Sequence, residues 1–133
     1  MKIEDVEGIG PAFAAKLQEA GVTSSEQLLD AAGPRAGRDA LAGRTGISTK
    51  LLLEWANACD LMRIKGIGAQ FSDLLEAAGV DSSAELAQRN AASLATTFAE
   101  LNAARSTTRR APTEAMVADW IAQAKALPKV VTH

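Results

Sequence analysis

Two glycine pairs are the residues of this chain best suited to chemistry. Gly8-Ile9-Gly10 and Gly66-Ile67-Gly68 each stand just before a run that reads as a helix. A glycine turn that opens a helix gathers free backbone N–H groups at the positive end of the helix dipole. That arrangement receives anions, most often the phosphates of a nucleic acid. Lys65 flanks the second turn, Ala69 keeps its N–H and Gln70 adds a donor side chain. In the first turn Glu7 replaces the lysine, Pro11 has no N–H and Ala12 has no side-chain donor. The second turn is therefore the expected anion site, and the first is expected to be mainly structural. A tight interhelical turn, with Ile9 and Ile67 plugging the core, explains the same residues without a ligand.

Arg105, Arg109 and Arg110 form the densest basic cluster, interleaved with Ser106, Thr107 and Thr108. Together with Arg63 they are the side chains expected to extend a phosphate-binding surface around the second turn. The material for covalent or metal chemistry is thin. Cys59 stands alone on an apolar helix face, and the sole histidine is His133, so neither a Cys-His nucleophilic pair nor a histidine-bearing metal site is expected. The carboxylates are scattered at helical spacings on polar faces, with no acid/base couple. The expectation is a protein that is not an enzyme.

The bulk properties set further bounds. At 133 residues, 47% hydrophobic and 23% charged, the chain reads as a globular protein the size of one ordinary domain. Its opening, Met1-Lys2-Ile3-Glu4-Asp5, is acidic and leads into no apolar stretch, so no secretory leader is expected. A single cysteine suits a reducing compartment, and a cytoplasmic location without membrane association follows as the expectation. The net charge is −2, which argues against a strong general polyanion binder. The charge is uneven, however. Residues 1–60 carry six basic and nine acidic side chains, whereas residues 61–133 carry eight and seven, so a polyanion should prefer the second half.

The elements that position these residues are written twice. Between residues 8–25 and 66–83, ten of eighteen positions are identical at an offset of 58, which marks an internal duplication. Helices are predicted over about residues 11–20 and 69–78, ended by Gly21 and Gly79 in C-cap positions. Ser24-x-x-Gln27 and Ser82-x-x-Glu85 match the capping-box pattern and open the next helices. Further on, Leu52, Trp55, Ala56 and Cys59 correspond to Val117, Trp120, Ile121 and Ala124, one buried helical face repeated. The offset there is 65, so about seven extra residues enter the second copy between Leu86 and Pro112, room for a longer third helix. Trp55 and Trp120 are thus core residues. With five aromatics in all, stacking on single-stranded bases has little to work with.

Val6-x-Gly8-Ile9-Gly10-Pro11 with Leu17 and Gly21-Val22, and the second copy of this pattern, resemble the helix-hairpin-helix motif. The whole chain resembles a bacterial family known as domain of unknown function 4332. Gly46-Ile47-Ser48 with Trp55, Leu61-Met62-Arg63-Ile64-Lys65-Gly66, Asp119-Trp120-Ile121 and Pro128-Lys129-Val130-Val131-Thr132 carry that resemblance. It implies an all-α fold of two tandem four-helix, SAM-like repeats, residues 1–60 and 61–133, packed as one body with pseudo-twofold symmetry. It also implies sequence-independent binding to the backbone of double-stranded or branched DNA through Lys65, Gly66, Ile67, Gly68, Ala69 and Gln70. Gly8 and Gly10 would be the lesser contacts. No cofactor is implied beyond a monovalent cation that such hairpins sometimes hold on their carbonyls. The alternative is a protein-interaction module in which the hairpins only hold the fold. Helix-hairpin-helix turns that bind DNA usually carry Lys or Arg after the second glycine, where this chain has Ala12-Phe13 and Gln70-Phe71.

Overall fold

Each helix starts and stops where local chemistry requires it. The computed structural model describes residues 1–6, 8–105 and 110–133. Among them are a 3-10 turn at Ile3–Asp5 and eight α-helices. In the first half these are α1 (Pro11–Glu19), α2 (Ser25–Ala32), α3 (Arg35–Thr45) and α4 (Thr49–Leu61). In the second they are α5 (Ala69–Ala77), α6 (Ser83–Ala87), α7 (Ala91–Arg105) and α8 (Glu114–Ala126). No strand occurs among the described residues, only an isolated antiparallel bridge from Lys2 to Ser24. None of the described helices is long and apolar enough to cross a membrane.

The predicted caps form. Ser24 Oγ accepts from Gln27 N at 3.1 Å, and Ser82 Oγ accepts from Glu85 N at 3.2 Å. The return half of the box differs between copies. Gln27 Oε1 accepts from Thr23 N at 2.8 Å, whereas Glu85 turns forward to pair with Arg89 at 3.1 Å. Gly21 and Gly79 take φ of +88° and +86°, ending α1 and α5 in the left-handed region that disfavours a Cβ. Ser48, Asn90 and Thr113 accept from the first-turn amides of α4, α7 and α8 in the same way.

The chain divides into two units. The first comprises Met1–Asp60 together with Lys129–His133, and the second Leu61–Pro128. The last five residues, counted with the second repeat on sequence grounds, belong instead to the first unit. Thr132 N donates to Gly33 O at 2.9 Å, and Val131 is buried. This pairing is a long-range event that no local pattern encodes.

Within each unit the repeated apolar face is buried as expected. Leu52, Trp55, Ala56 and Cys59 are in the core of the first unit, and Val117, Trp120, Ile121 and Ala124 in that of the second. Each tryptophan meets the phenylalanine of the helix after the glycine turn, Phe13 to Trp55 and Phe71 to Trp120, both with centroids 5.2 Å apart. Edge-on geometry of this kind adds to the burial of the rings. Phe98 on α7 also packs on Trp120, at 6.4 Å. The third helix lengthens from eleven residues in α3 to fifteen in α7, as the enlarged offset predicts, while its predecessor shortens from eight in α2 to five in α6.

Burial pushes the Cys59 thiol up to about 12, with the charge of Glu26 adding to the effect. The thiolate is the reactive form, so a disulfide-exchange reagent at pH 8 should modify native Cys59 at least ~1,000-fold more slowly than the urea-unfolded chain. Native and unfolded rates within tenfold of each other would contradict the burial.

Candidate nucleic-acid interface

The two glycine turns share one geometry. Ile9 N donates to Val6 O at 3.1 Å, and Ile67 N to Ile64 O at 3.2 Å. Both isoleucines are buried, so each turn is anchored by its central side chain. The glycines on either side have different tasks. Gly8 and Gly66 take φ of +86° and +99°, which L side chains rarely adopt. A Cβ on Gly8 would lie 3.4 Å from Trp55 Nε1, and one on Gly66 only 2.9 Å from Trp120 Nε1. These two glycines are demanded by the fold, the second more strictly. Their Cβ directions point at a buried ring, although both residues are exposed on the side away from it.

Gly10 and Gly68 are the reverse case. Both are extended N-caps, with φ of −78° and −102°, accessible to any residue. A Cβ on either would meet nothing within 4 Å, and both are exposed. Neither conformation nor space requires glycine there. Their carbonyls already start the helices, Gly10 O accepting from Ala14 N and Gly68 O from Ser72 N, both at 2.9 Å. The amides of a first helical turn have no acceptor inside the helix, and glycine brings no side chain to take them. In α1 the first of those positions is Pro11, which has no N–H, whereas Ala69 retains one. The backbone donors of α5 are therefore the fuller set. The side chains of Ala69 and Gln70 lie outside what the structure describes.

Lys65 is exposed, and its backbone is fixed by a residue the sequence reading passed over. Gln123 on α8 accepts from Lys65 N at 2.9 Å and donates to Lys65 O at 3.1 Å, closing a two-bond ring around the peptide. Asp119 Oδ2 takes a further bond from the same amide at 2.9 Å. Gln123 lies one turn beyond Trp120, the side of α8 that meets the turn. That spacing is the signal that could have found it. The corresponding position in the first copy is Ala58, which can brace nothing.

Of the remaining predicted contacts, Arg63 has a structural partner. Arg63 is half-buried and donates to Pro128 O at 3.1 Å, so it helps to hold the end of the second unit. Arg105 closes α7, with its side chain outside the described set, and Arg110 is exposed beyond it. Arg109 and the intervening Ser106, Thr107 and Thr108 lie outside the described residues, as does Glu7. The turn itself unites Lys65, Gly66, Ile67, Gly68 and the start of α5.

Carbonyls of the second turn carry internal hydrogen bonds, each leaving one lone pair unused by those bonds. Ile64 O already accepts from Ile67 N, and Lys65 O from Gln123. Among the described residues no group of three or more His, Cys, Asp or Glu side chains is placed to hold a metal.

Comparison with curated proteins finds no match, and comparison with solved structures finds none either. The repeated turns and the faces that bury their tryptophans lie within one matched region, residues 7–127, and by that match the chain belongs to the family described as Domain of unknown function (DUF4332).

Proposed function

We propose that the two units are tandem helix-hairpin-helix repeats and that the protein is a cytoplasmic, non-enzymatic module binding the DNA backbone without reading sequence, chiefly through the second turn. The observation that carries this reading is Gly68. Nothing internal requires glycine at that position, yet it leaves the first turn of α5 without a side-chain cap. Close approach of a phosphate to the backbone amides gives both features a cause. Exposed Lys65, on a peptide braced by Gln123, supplies a positive charge beside them. The predicted arginines Arg105, Arg109 and Arg110 extend the surface by charge.

A protein-interaction module is the second reading, favoured by the net charge of −2 and by the packing of Gly8 and Gly66 on the tryptophans, which explains both glycines without a ligand. Fluorescence anisotropy of a labelled duplex separates the two. Contact with two or three phosphates predicts affinity about 10- to 40-fold weaker at ~200 mM than at ~50 mM salt. Gly68→Glu should abolish that binding and Gly10→Glu should weaken it less, and a Cβ at either position has no neighbour within 4 Å. No binding at the lower salt, or equal effects of the two variants, would leave the protein-interaction reading standing.

A further inference from the structure

The corner between α2 and α3 is built like a peptide-binding site. Arg38, in the first turn of α3, is buried to 5% exposure. Its Nη1 donates to Ala32 O at 3.1 Å and to Gly33 O at 3.0 Å, at the end of α2. Those two bonds lie within residues 32–38 and fix the guanidinium whether or not anything else is present. Its Nη2 then donates outward to Thr132 O at 2.8 Å.

Residues 130–132 occupy this corner as an extended segment. Thr132 N donates to Gly33 O at 2.9 Å, and Thr132 Oγ1 accepts from Arg35 N at 2.9 Å, capping α3. Val130 lies over Gly33, where an added Cβ would meet Leu29 O of α2 at 2.5 Å and Val130 Cγ1 at 2.7 Å. Val131 is 4% exposed. The contact joins backbone and side chain: Thr132 is bonded through both its N–H and its carbonyl, and the β-branched Val131 is buried beside it. A preorganised donor, a pocket for one valine and a cap awaiting a hydroxyl together specify an x-Val-Val-Thr sequence.

The occupant is remote in sequence. The chain leaves the first unit at Asp60, forms all of the second, and returns only at Lys129. We propose that the α2–α3 corner is a recognition site for an extended Val-Val-Thr segment, filled in cis by residues 130–132 and open to exchange with the same segment of a second copy of this chain. This is independent of the DNA reading. A five-residue contact is weak on its own and is held by tethering, which gives an effective concentration on the order of millimolar.

The test uses the full chain carrying Val131→Asp, which charges the buried side chain and expels the segment. The synthetic peptide Lys-Val-Val-Thr-His is titrated in while the amide resonances of Gly33 and Arg38 are followed by NMR. Saturable shifts are expected, absent when the second valine of the peptide is aspartate. A folded variant whose resonances ignore the peptide overturns the proposal. Should the variant not fold, amide exchange in the native chain decides. The Thr132 N–H should exchange at least ~100-fold faster than the Val117 N–H in the second core, as for a segment that opens locally. Equal protection of the two would mean the segment leaves only on global unfolding, and would overturn it.

Discussion

Gly66→Ala is expected to destabilise the protein by about 2–4 kcal/mol, a large effect for a single methyl group. Two costs combine. The +99° φ strains any L residue, and the new Cβ meets Trp120 Nε1 at 2.9 Å. Trp120 is 2% exposed and held by Phe71 and Phe98, so the ring cannot swing away. Gly8→Ala should cost less, because its Cβ would lie 3.4 Å from Trp55. Gly68→Ser is expected to go the other way and stabilise by up to ~1 kcal/mol, since a hydroxyl at that N-cap gives α5 the cap it lacks. If the turn grips phosphate, the same serine competes for the amides and DNA affinity falls as stability rises. Urea midpoints by circular dichroism, set beside anisotropy on the same variants, test both halves. A Gly66→Ala midpoint equal to wild type would refute the account of the turn.

The second large effect is at Arg38. Arg38→Met should destabilise by about 2–4 kcal/mol, because Ala32 O and Gly33 O lose a donor in a buried place that methionine can fill but not bond. Arg38→Lys should recover only part of this, since one ammonium cannot fork to three carbonyls as a planar guanidinium does. A shift below ~0.5 kcal/mol for Arg38→Met would show that water satisfies these carbonyls as well as the guanidinium does. The measurement is again the urea midpoint, with m unchanged.

What the sequence revealed and what it concealed divide along one physical line. Helix starts at Ser24 and Ser82, stops at Gly21 and Gly79, and the faces holding Trp55 and Trp120 depend on residues within a turn or two. They were legible for that reason. The division of labour inside each glycine pair was not, because it is set by a tryptophan 54 positions away from Gly66 and 47 from Gly8. Arg38 lies in Arg35-Ala36-Gly37-Arg38-Asp39, which reads as a solvated polar start to a helix. Only the return of Thr132, 94 residues later, explains its burial. Arg63 has a structural task that its neighbours in sequence do not show. Beside Lys65 it reads as part of a basic patch, but its guanidinium bonds Pro128 O, 65 residues on. The candidate site was legible as a turn and a lysine, while the amide of Gln123 that steadies it was marked only by its spacing, one turn beyond Trp120.

The discontinuity of the first unit has a consequence for how the protein is made. The second unit is one continuous stretch and has all its residues once Pro128 has been synthesised. The first has its helices early but lacks Val131 and Thr132 until 94 further residues follow Arg38. At ~5–20 residues per second on the ribosome, the corner stands open for roughly 5–20 s in every round of synthesis. Throughout that interval Arg38 has its bonds to Ala32 O and Gly33 O but lacks the one to Thr132 O, which a released chain could supply in trans. Synthesis in the presence of finished copies is therefore when one chain would most readily close on another.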